Sequence, residues 1–454
     1  MNIESRIPNE DLSEPLTFGV EAYISPEYAK AEGDRLWAKV WQHACRVEEL
    51  PNVGDYIKYD IAEDSILIVR SGPERIRAFH NVCLHRGRQL VDGDGRCGPS
   101  QQFRCAFHGW RYGLDGENSF ALDKDDWDGA LTPDRLRLRE VRLDCWGGWV
   151  WINMDADAMP LREWLEPFAT MLDPFELEKM RYRWRQRVIF DCNWKTAMEA
   201  FMESYHVEGT RPQLLKYADF YTWSVAHERH SYHGFEERNA ELDISSSNTI
   251  IRAGRGSDAR KSIADLQVEV METVNASTTQ TFVDASLRLV DELPENTPPG
   301  EVMAHFLERA KADDAARGVI WPEIDPDHFA ASGIAWNVFP NLSIQHGYTF
   351  ALCYRARPHG IDPDKCVFEA SVIELFPKGE EPKTEWIYAE PTEENWRSVL
   401  VQDFRNMAAV QRGMKSRAFP GMLPNPKQER PVSNFHRNLS RFMGAGAPRL
   451  LDGI

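Results

Sequence analysis

The chain has 454 residues and a formal net charge of −18, with 42% hydrophobic and 27% charged residues, which is ordinary for a globular protein of two or three domains. The acidic balance argues against a general nucleic-acid binder, and eight cysteines are too few for a disulfide scaffold. No apolar run approaches the roughly 18 residues of a membrane span and no leader pattern is present, so the sequence predicts a cytoplasmic protein without a membrane contact.

The N-terminal third of the chain changes its pattern once. Residues 1–40 are expected to form an extended arm followed by a helix, roughly Pro26 to Val40. From Trp41 to about Met154 the chain consists of short β-rich runs such as DYIKYDI and SILIVRS, separated by Gly and Asp clusters. This pattern predicts a small all-β domain over residues 41–155.

The remainder, residues 156–454, has a mixed pattern. The sequence predicts a helix from Trp194 to Val207, polar helical segments from about Ala259 to Gly318, and a late helix from Glu393 to about Met414. Strand-like runs, LSIQHGYTFALCYRARP and CVFEASVIELFP, lie before the late helix. The order predicts an α+β domain whose helices pack on an antiparallel sheet, with residues 255–330 as a helical insertion.

Two short Cys-His motifs lie inside the β-rich region. Cys83-Leu-His85 and Cys105-Ala-Phe-His108 each follow a strand-like run directly, so we expect the four side chains on two loops at one tip of the sheet. Two thiolates on one iron and two imidazoles on the other form a [2Fe–2S] cluster of raised potential. A structural zinc site uses the same residue types, but it usually pairs Cys with Cys and His with His. The pattern favours the cluster over zinc.

These motifs, CLHRGRQL and CAFHGWRYGLDGE in full, resemble the cluster loops of the large (alpha) subunits of Rieske non-heme iron ring-hydroxylating oxygenases. The resemblance extends to Asn193–His206 and to the late helix, and so covers nearly the whole chain. It implies an α+β protein with a small all-β Rieske domain and a helix-grip catalytic domain, in which long helices pack on an antiparallel sheet. It also implies that residues 1–40 pack on the catalytic domain.

The resemblance implies a mononuclear Fe(II) besides the [2Fe–2S] cluster, with His206 as one ligand. It also implies that Glu203 is the acidic residue linking His206 to His108 of a neighbouring chain. Glu203 and His206 are three residues apart and would face the same way on a helix, with Glu199 one turn earlier.

The resemblance places the iron-binding carboxylate on the late helix, at Asp403. This residue falls within the apolar stripe of the helix, where a carboxylate is costly unless it binds a metal or pairs with a cation. Pairing with Arg405 or Arg412 is the alternative interpretation.

The family pattern has a second histidine five residues after His206, where this chain has Arg211. A guanidinium stays protonated and has no lone pair for a metal, so the triad of two histidines and one carboxylate is incomplete. The sequence leaves three explanations open. The chain is a substituted or inactive form, or iron binds through two protein ligands and water, or a nearby histidine compensates. The candidates for compensation are His227, His230 and His233.

The implied function is that of a terminal oxygenase, an oxidoreductase acting as a dioxygenase or monooxygenase on a hydrophobic aromatic or polycyclic substrate. Electrons from NAD(P)H would arrive through a ferredoxin and/or a reductase, since no G-x-G-x-x-G unit for nicotinamide is present. The implied assembly is a homotrimer or an α3β3 complex with a small subunit. The alternative is a Rieske electron-transfer or partner subunit without oxygenase activity. Five arginines near the cluster motifs either steer an acidic donor or stabilise the loops: Arg86, Arg88, Arg96, Arg104 and Arg111.

Overall fold

A computed structural model describes residues 12–211, 213–214, 221–235 and 258–451. The chain divides into two compact units. The smaller comprises Ala29–Trp164 with His359–Ile361, and the larger contains the rest of the chain. The predicted domain boundary at residue 155 stays a prediction. Within the described part, no helix combines the length and the apolar character needed to cross a bilayer.

The described chain begins with a short strand and two helices: β1 (Leu16–Thr17), α1 (Glu21–Ile24) and α2 (Pro26–Glu32). One π-helical turn, Gly33–Trp37, continues α2. The helix predicted from Pro26 is therefore confirmed, although its last turn is wider than an α-helix and it ends near Trp37.

The smaller unit is built from strands, as the short β-rich runs predict. A seven-stranded sheet has the order β2-β11-β10-β5-β4-β3-β6, and a three-stranded sheet has the order β7-β8-β9. The short helix α3 (Pro133–Leu136) precedes β10. The strands are β2 (Gln42–Arg46), β3 (Asp55–Ile61), β4 (Asp64–Gly72), β5 (Arg75–His80), β6 (Gly95–Arg96), β7 (Gln102–Arg104), β8 (Arg111–Gly113), β9 (Asn118–Phe120), β10 (Glu140–Trp146) and β11 (Trp149–Asn153).

The hydrophobic core of this unit reaches the Cys-His motifs. Leu67 and Phe79 of the larger sheet pack in one cluster with Phe103 of the smaller sheet, and Cys83 and Cys105 belong to the same cluster. The two cysteines are therefore held in an apolar, water-poor environment by residues that also hold the sheets together.

The larger unit contains an eight-stranded sheet in the order β13-β14-β15-β16-β17-β18-β12-β19. Pairs from β13 to β17 and the pair β18–β12 are antiparallel, whereas β19 runs parallel to β12. The strands are β12 (Arg181–Phe190), β13 (Thr222–His227), β14 (His230–Phe235), β15 (Ala335–Val338), β16 (Leu342–His346), β17 (Phe350–His359), β18 (Asp362–Glu374) and β19 (Ile387–Tyr388); β20 (Arg449–Leu450) pairs with β1.

Helices pack on this sheet, which confirms the α+β class with long helices on an antiparallel sheet. Helix α14 packs on β13 and β14, α6 packs on β18, and α13 packs on α6. In chain order, the helices that follow β11 are α4 (Leu161–Leu165), α5 (Phe168–Leu172), α6 (Trp194–Glu199), α7 (Val207–Thr210), α8 (Ala259–Thr273), α9 (Gln280–Leu287), α10 (Leu289–Glu292), α11 (Pro299–Ala316), α12 (Pro326–Ala331), α13 (Glu393–Met414) and α14 (Arg430–Met443).

The late helix has the predicted bounds, with an interruption at Arg397, where φ is 62°. The helix predicted to continue to Val207 is wrong in its second half, because α6 ends at Glu199. Shortly after that end, the carbonyl of Phe201 accepts a hydrogen bond of 2.8 Å from the Ser343 hydroxyl of the neighbouring sheet. A carbonyl engaged by the sheet is satisfied outside a helical ladder, so packing against the sheet overrides the local helical pattern.

Candidate metal centres

The two Cys-His loops of the smaller unit have the same backbone hydrogen bonds. In each, the amide of Cys83 or Cys105 donates to the carbonyl five residues later at 2.8 Å. The amide of the glycine four residues later, Gly87 or Gly109, donates back to the cysteine carbonyl at 3.0 Å. These glycines have φ values of 76° and 73°, a left-handed conformation that disfavours other residues. Local sequence therefore fixes both loops in one shape.

The four predicted cluster ligands converge. The rings of His85 and His108 lie 4.5 Å apart between centroids, and Cys83 and Cys105 are both 2% exposed. The Nδ1 atom of His85 is buried without a hydrogen-bond partner. Burial raises the pKa of Cys83, and the adjacent Cys105 thiol adds to the rise. Two thiols and two imidazoles offer each of two irons two ligands, so the residues present fit a [2Fe–2S] cluster.

Two aromatic residues support this arrangement. The indole of Trp110 stacks on His85 with centroids 4.9 Å apart and an interplanar angle of 7°. The Tyr112 hydroxyl lies 3.5 Å from the Cys83 sulfur and accepts a hydrogen bond of 3.1 Å from the Leu84 amide. Burial raises the pKa of Tyr112, so the phenol stays protonated and can donate to the sulfur.

The arginines near the loops divide into two groups. Arg88 pairs with Asp92 at 2.8 Å and Arg96 pairs with Asp55, so these two stabilise the loops. Two others lie over exposed aromatic rings: Arg86 over Phe107 at 5.3 Å and Arg111 over Phe120 at 5.1 Å. The second group leaves positive charge at the surface beside the cluster loops.

The predicted second site is assembled in the larger unit, although Glu203 and His206 do not share a helix. The His206 Nδ1 lies 2.8 Å from Glu203 Oε1, and the His206 amide donates to Glu203 Oε2 at 3.1 Å. The other ring nitrogen, Nε2, is buried and lies 3.5 Å from Oδ1 of Asp403 on α13. The three residues therefore come together through the turn before α7.

Arg211 lies on the carboxylate of Asp403. Its Nε donates to Oδ1 at 3.2 Å, and its Nη2 donates to Oδ2. The side chain of Asp403 is 1% exposed and that of Arg211 is 14% exposed. Beside this pair, Gln213 donates to Gln402 at 2.9 Å. The cationic partner of Asp403 is thus Arg211, which no local pattern in the sequence indicates.

Arg405, one of the two alternative partners considered for Asp403, pairs with Glu393 at 2.7 Å. The predicted pairing of Asp403 with Arg405 is therefore wrong, because the Arg405 side chain lies on the exposed side of α13.

The three histidines considered for compensation lie on β13 and β14. His230 Nδ1 accepts a hydrogen bond of 3.1 Å from the Phe339 amide, and His227 faces His230 across the β13–β14 pair. His233 Nε2 lies 3.5 Å from the Ser204 hydroxyl, and burial lowers the His233 pKa to about 4. Around His206 and Asp403, the described residues include no third His, Cys, Asp or Glu side chain that completes a group able to hold a metal ion.

A groove of about 350 Å³ opens beside the second site, between α6, α13 and the chain before α14. Four carboxylates line it: Glu199, Glu203, Asp403 and Glu429. Its apolar wall is formed by Ala200, Met407, Val410, Met414, Met422, Leu423, Pro424 and Val432. Burial raises the pKa of Glu429 to about 7, and the charges of Glu203 and Glu199 add to the rise.

One buried network at this groove was missed by sequence reasoning. The Tyr23 hydroxyl donates to Glu199 Oε1 at 2.7 Å, and His436 Nε2 lies 2.7 Å from both the Tyr23 oxygen and Glu199 Oε1. Tyr23 and His436 lie 176 and 237 residues from Glu199 in sequence, so no local motif connects them. Phe18 stacks on His436 at 4.2 Å. The N-terminal segment is thereby tied to the carboxylates of the groove.

Comparison with known families decides what this arrangement belongs to. Residues 175–445 match the family described as the ring hydroxylating alpha subunit (catalytic domain), and residues 40–121 match the Rieske [2Fe-2S] domain. The chain belongs to the ring-hydroxylating alpha subunit family. The resemblance seen in the cluster motifs is therefore confirmed.

Curated relatives of this alpha subunit act on different compounds. The carnitine monooxygenase oxygenase subunit of Escherichia coli K12 is 30% identical over 201 residues, which is 44% of this chain and 53% of the relative. The large oxygenase component of the 2,4-dinitrotoluene dioxygenase system of Burkholderia sp. RASC is 32% identical over 202 residues, 43% of this chain and 44% of the relative. The matched segments span about half the length of these relatives.

Two solved structures share the fold of this alpha subunit. A quaternary ammonium Rieske monooxygenase in complex with L-carnitine has a TM-score of 0.63 at 17% identity, covering 95% of this chain and 97% of that one. Naphthalene 1,2-dioxygenase with bound indole has a TM-score of 0.62 at 18% identity, covering 95% and 93%. At these identities the likeness establishes the two-domain fold.

The two family matches imply a Rieske cluster and a mononuclear iron. The residues at the cluster loops fit the Rieske cluster. The residues at the second site do not form a complete mononuclear iron site, because Arg211 offers no lone pair and already binds the carboxylate of Asp403. His206 and Asp403 alone leave the site one ligand short of the triad.

Replacing Tyr112 by Phe should lower the reduction potential of the cluster by tens of millivolts. Removing a hydrogen bond to a cluster sulfur leaves more electron density on the iron, which disfavours reduction. A spectroelectrochemical titration measures the potential. Tyr56→Phe is the control, since Tyr56 packs edge-on against Phe103 in the same core. Equal potentials in wild type and Tyr112→Phe would show that the hydroxyl does not act on the sulfur.

Replacing Glu429 by Gln should stabilise the protein at high pH only. The folded pKa of Glu429, about 7, lies above its ordinary value of 4.5, so stability from this group is present below pH 4.5 and is lost as pH rises through 7. The variant should gain about 3 kcal/mol over wild type at pH 8 and close to nothing at pH 4.5. Urea unfolding at both pH values measures the difference. The exposed carboxylate variant Glu394→Gln should show no such pH dependence.

Proposed function

We propose that this chain is the terminal oxygenase component of a Rieske oxygenase system, which oxidises a small organic substrate with O2. Electrons come from NAD(P)H through a ferredoxin and/or a reductase, and the reaction takes place in the cytoplasm, where thiols stay reduced. One observation carries the proposal: a single chain holds both the cluster loops and the group formed by Glu203, His206 and Asp403.

The ligands proposed for the cluster are Cys83, His85, Cys105 and His108. When bound, a Rieske cluster accepts and passes on electrons at a potential raised by its histidines. Phe107 beside His108 is 56% exposed, and the Arg86 guanidinium lies over it. An exposed, positively charged surface of this kind favours the approach of an acidic electron donor.

The acidic groove supports association between copies of the chain. Four carboxylates line the groove, whereas the surface beside the cluster loops carries positive charge, and such complementarity favours a defined contact. We propose that Glu203, which holds His206 at Nδ1, contacts His108 of a second copy across this groove. A cyclic assembly, a homotrimer or an α3β3 complex with a small subunit, repeats this contact.

The names of the relatives point to a broad range of substrates. Relatives are named for carnitine, a quaternary ammonium compound, as well as for 2,4-dinitrotoluene, and a structural neighbour is named for naphthalene. The expected hydrophobic aromatic or polycyclic substrate, and the expected role in aromatic hydrocarbon catabolism, therefore cover only part of the substrate range of the relatives.

A second function, electron transfer or a partner role without oxygenase activity, is favoured by one observation. The Arg211 guanidinium binds both oxygens of the proposed iron ligand Asp403.

Purified chain with a generic reductase and ferredoxin, NADH and added Fe(II) should consume O2 when a suitable substrate is present. The substrate panel is L-carnitine, 2-aminobenzenesulfonate, 2,4-dinitrotoluene and naphthalene, with oxygen uptake and product mass as the readouts. A product heavier by one or two oxygen atoms supports the terminal oxygenase. A cluster that is reduced by NADH without any substrate oxidation, even with excess Fe(II), supports the electron-transfer alternative.

Replacing Glu203 by Gln should leave cluster reduction by the donor unchanged but slow substrate-dependent reoxidation of the cluster by about 10- to 100-fold, as is typical when a residue that orients a ligand is lost. Stopped-flow absorbance follows both steps. The matched control is Glu208→Gln, an exposed carboxylate on α7. Reoxidation at the wild-type rate in Glu203→Gln would remove Glu203 from the electron path.

A further inference from the structure

The carboxylate of Asp403 needs a positive partner. Its side chain is 1% exposed, within the apolar face of α13 formed by neighbours such as Leu400 and Met407. An ionised carboxylate without a partner is costly in such surroundings, so the ionised form of Asp403 calls for a cation beside it. In a metal site the metal supplies that charge, and in this chain Arg211 supplies it.

Arg211 is held in position by its backbone and by its neighbours. Its amide donates to the Val207 carbonyl at 2.9 Å, and its carbonyl accepts from the Leu214 amide at 3.0 Å. Two residues later, Gln213 is bound to Gln402, the residue before Asp403. The fork geometry of the guanidinium then matches the two carboxylate oxygens. The ion pair is part of how this segment folds onto α13.

The remainder of the site is already arranged for a metal. The Nδ1 atom of His206 is occupied by Glu203, which fixes the ring so that Nε2 is buried 3.5 Å from Asp403 Oδ1. A histidine fixed at Nδ1 with a free Nε2 is the usual state of a metal ligand. Only the third ligand position differs from a triad of two histidines and one carboxylate, and Arg211 occupies that position.

We propose that Arg211 is an internal counter-ion that competes with iron for Asp403, so that the second site of this chain takes up iron weakly and reversibly while the cluster stays loaded. This inference rests on the proposed function and specifies the state of its second site. Iron entry requires the guanidinium to leave Asp403 and turn toward the groove, where its carboxylates Glu199 and Glu429 offer alternative partners.

The competition has a measurable size. Loss of a residue that only orients a ligand typically weakens metal binding by 10- to 100-fold. The absence of a metal ligand, combined with the presence of a competing cation, should therefore weaken iron binding by at least about 100-fold. Wild-type chain passed over a desalting column should keep about two irons, those of the cluster, whereas a complete second site would raise the content to about three.

The experiment compares iron binding in wild type, Arg211→His and Arg211→Gln. Each protein is desalted, assayed for iron, and titrated with Fe(II) without oxygen, with nitric oxide binding to Fe(II) followed by electron paramagnetic resonance. Arg211→His supplies a ligand and should keep about three irons per chain. Arg211→Gln supplies no such ligand but removes the competing charge, so its affinity for Fe(II) should lie between the other two. Arg405→His, which adds a histidine elsewhere on α13, should behave as wild type.

Three outcomes would overturn the proposal. Wild type that keeps about three irons after desalting shows that Arg211 does not exclude iron. Equal affinities for Fe(II) in wild type and Arg211→His also show that Arg211 does not exclude iron. Equal, weak affinities in wild type and Arg211→Gln show that only the number of ligands matters and that no competition takes place. If one variant fails to fold, the wild-type iron content still tests whether iron is excluded, and the remaining variant still tests the competition for Asp403.

Different results would contradict the proposed function. A chain without cluster absorbance or with zinc in place of iron contradicts the Rieske oxygenase proposal, whatever Arg211 does. A chain with an intact cluster and tightly bound third iron contradicts only the competition for Asp403.

Discussion

The structure of the second site depends on one constraint, the need of a buried carboxylate for a positive charge. Asp403 lies in the apolar face of α13, and the fold brings Arg211 to it from a segment 192 residues earlier. The same carboxylate lies beside a histidine whose other nitrogen is held by Glu203. In a family whose members bind a metal cation, this chain thus has an organic cation at the carboxylate that we propose as an iron ligand.

Other contacts keep the elements around this site in register. The Tyr23 carbonyl accepts hydrogen bonds of 3.0 Å from Asn193, the residue that caps α6, and from Gln411 of α13. The hydroxyl of the same tyrosine joins Glu199 and His436. One residue of the N-terminal segment therefore links the two helices that carry the groove carboxylates, which explains how a short arm contributes to a distant site.

Local patterns predicted the features that local chemistry determines. The cluster loops were identifiable because Cys, His and Gly must occur at fixed spacing to form two such turns, and the bounds of α13 followed from its apolar periodicity. The end of α6 was not predictable, because the Ser343 hydroxyl that binds the Phe201 carbonyl just after the helix comes from a strand far away in sequence. Proximity in sequence points to Arg405 or Arg412 as the partner of Asp403, whereas the tertiary fold supplies Arg211.

A crystal structure of the wild-type chain, desalted and crystallised under anaerobic conditions without added Fe(II), with anomalous diffraction recorded at the iron absorption edge, tests the role of Arg211 most directly. The predicted result is anomalous density between Cys83, His85, Cys105 and His108, with the Arg211 guanidinium on both oxygens of Asp403 and no iron peak beside it. A strong iron peak between His206 and Asp403, with Arg211 turned away, would contradict it.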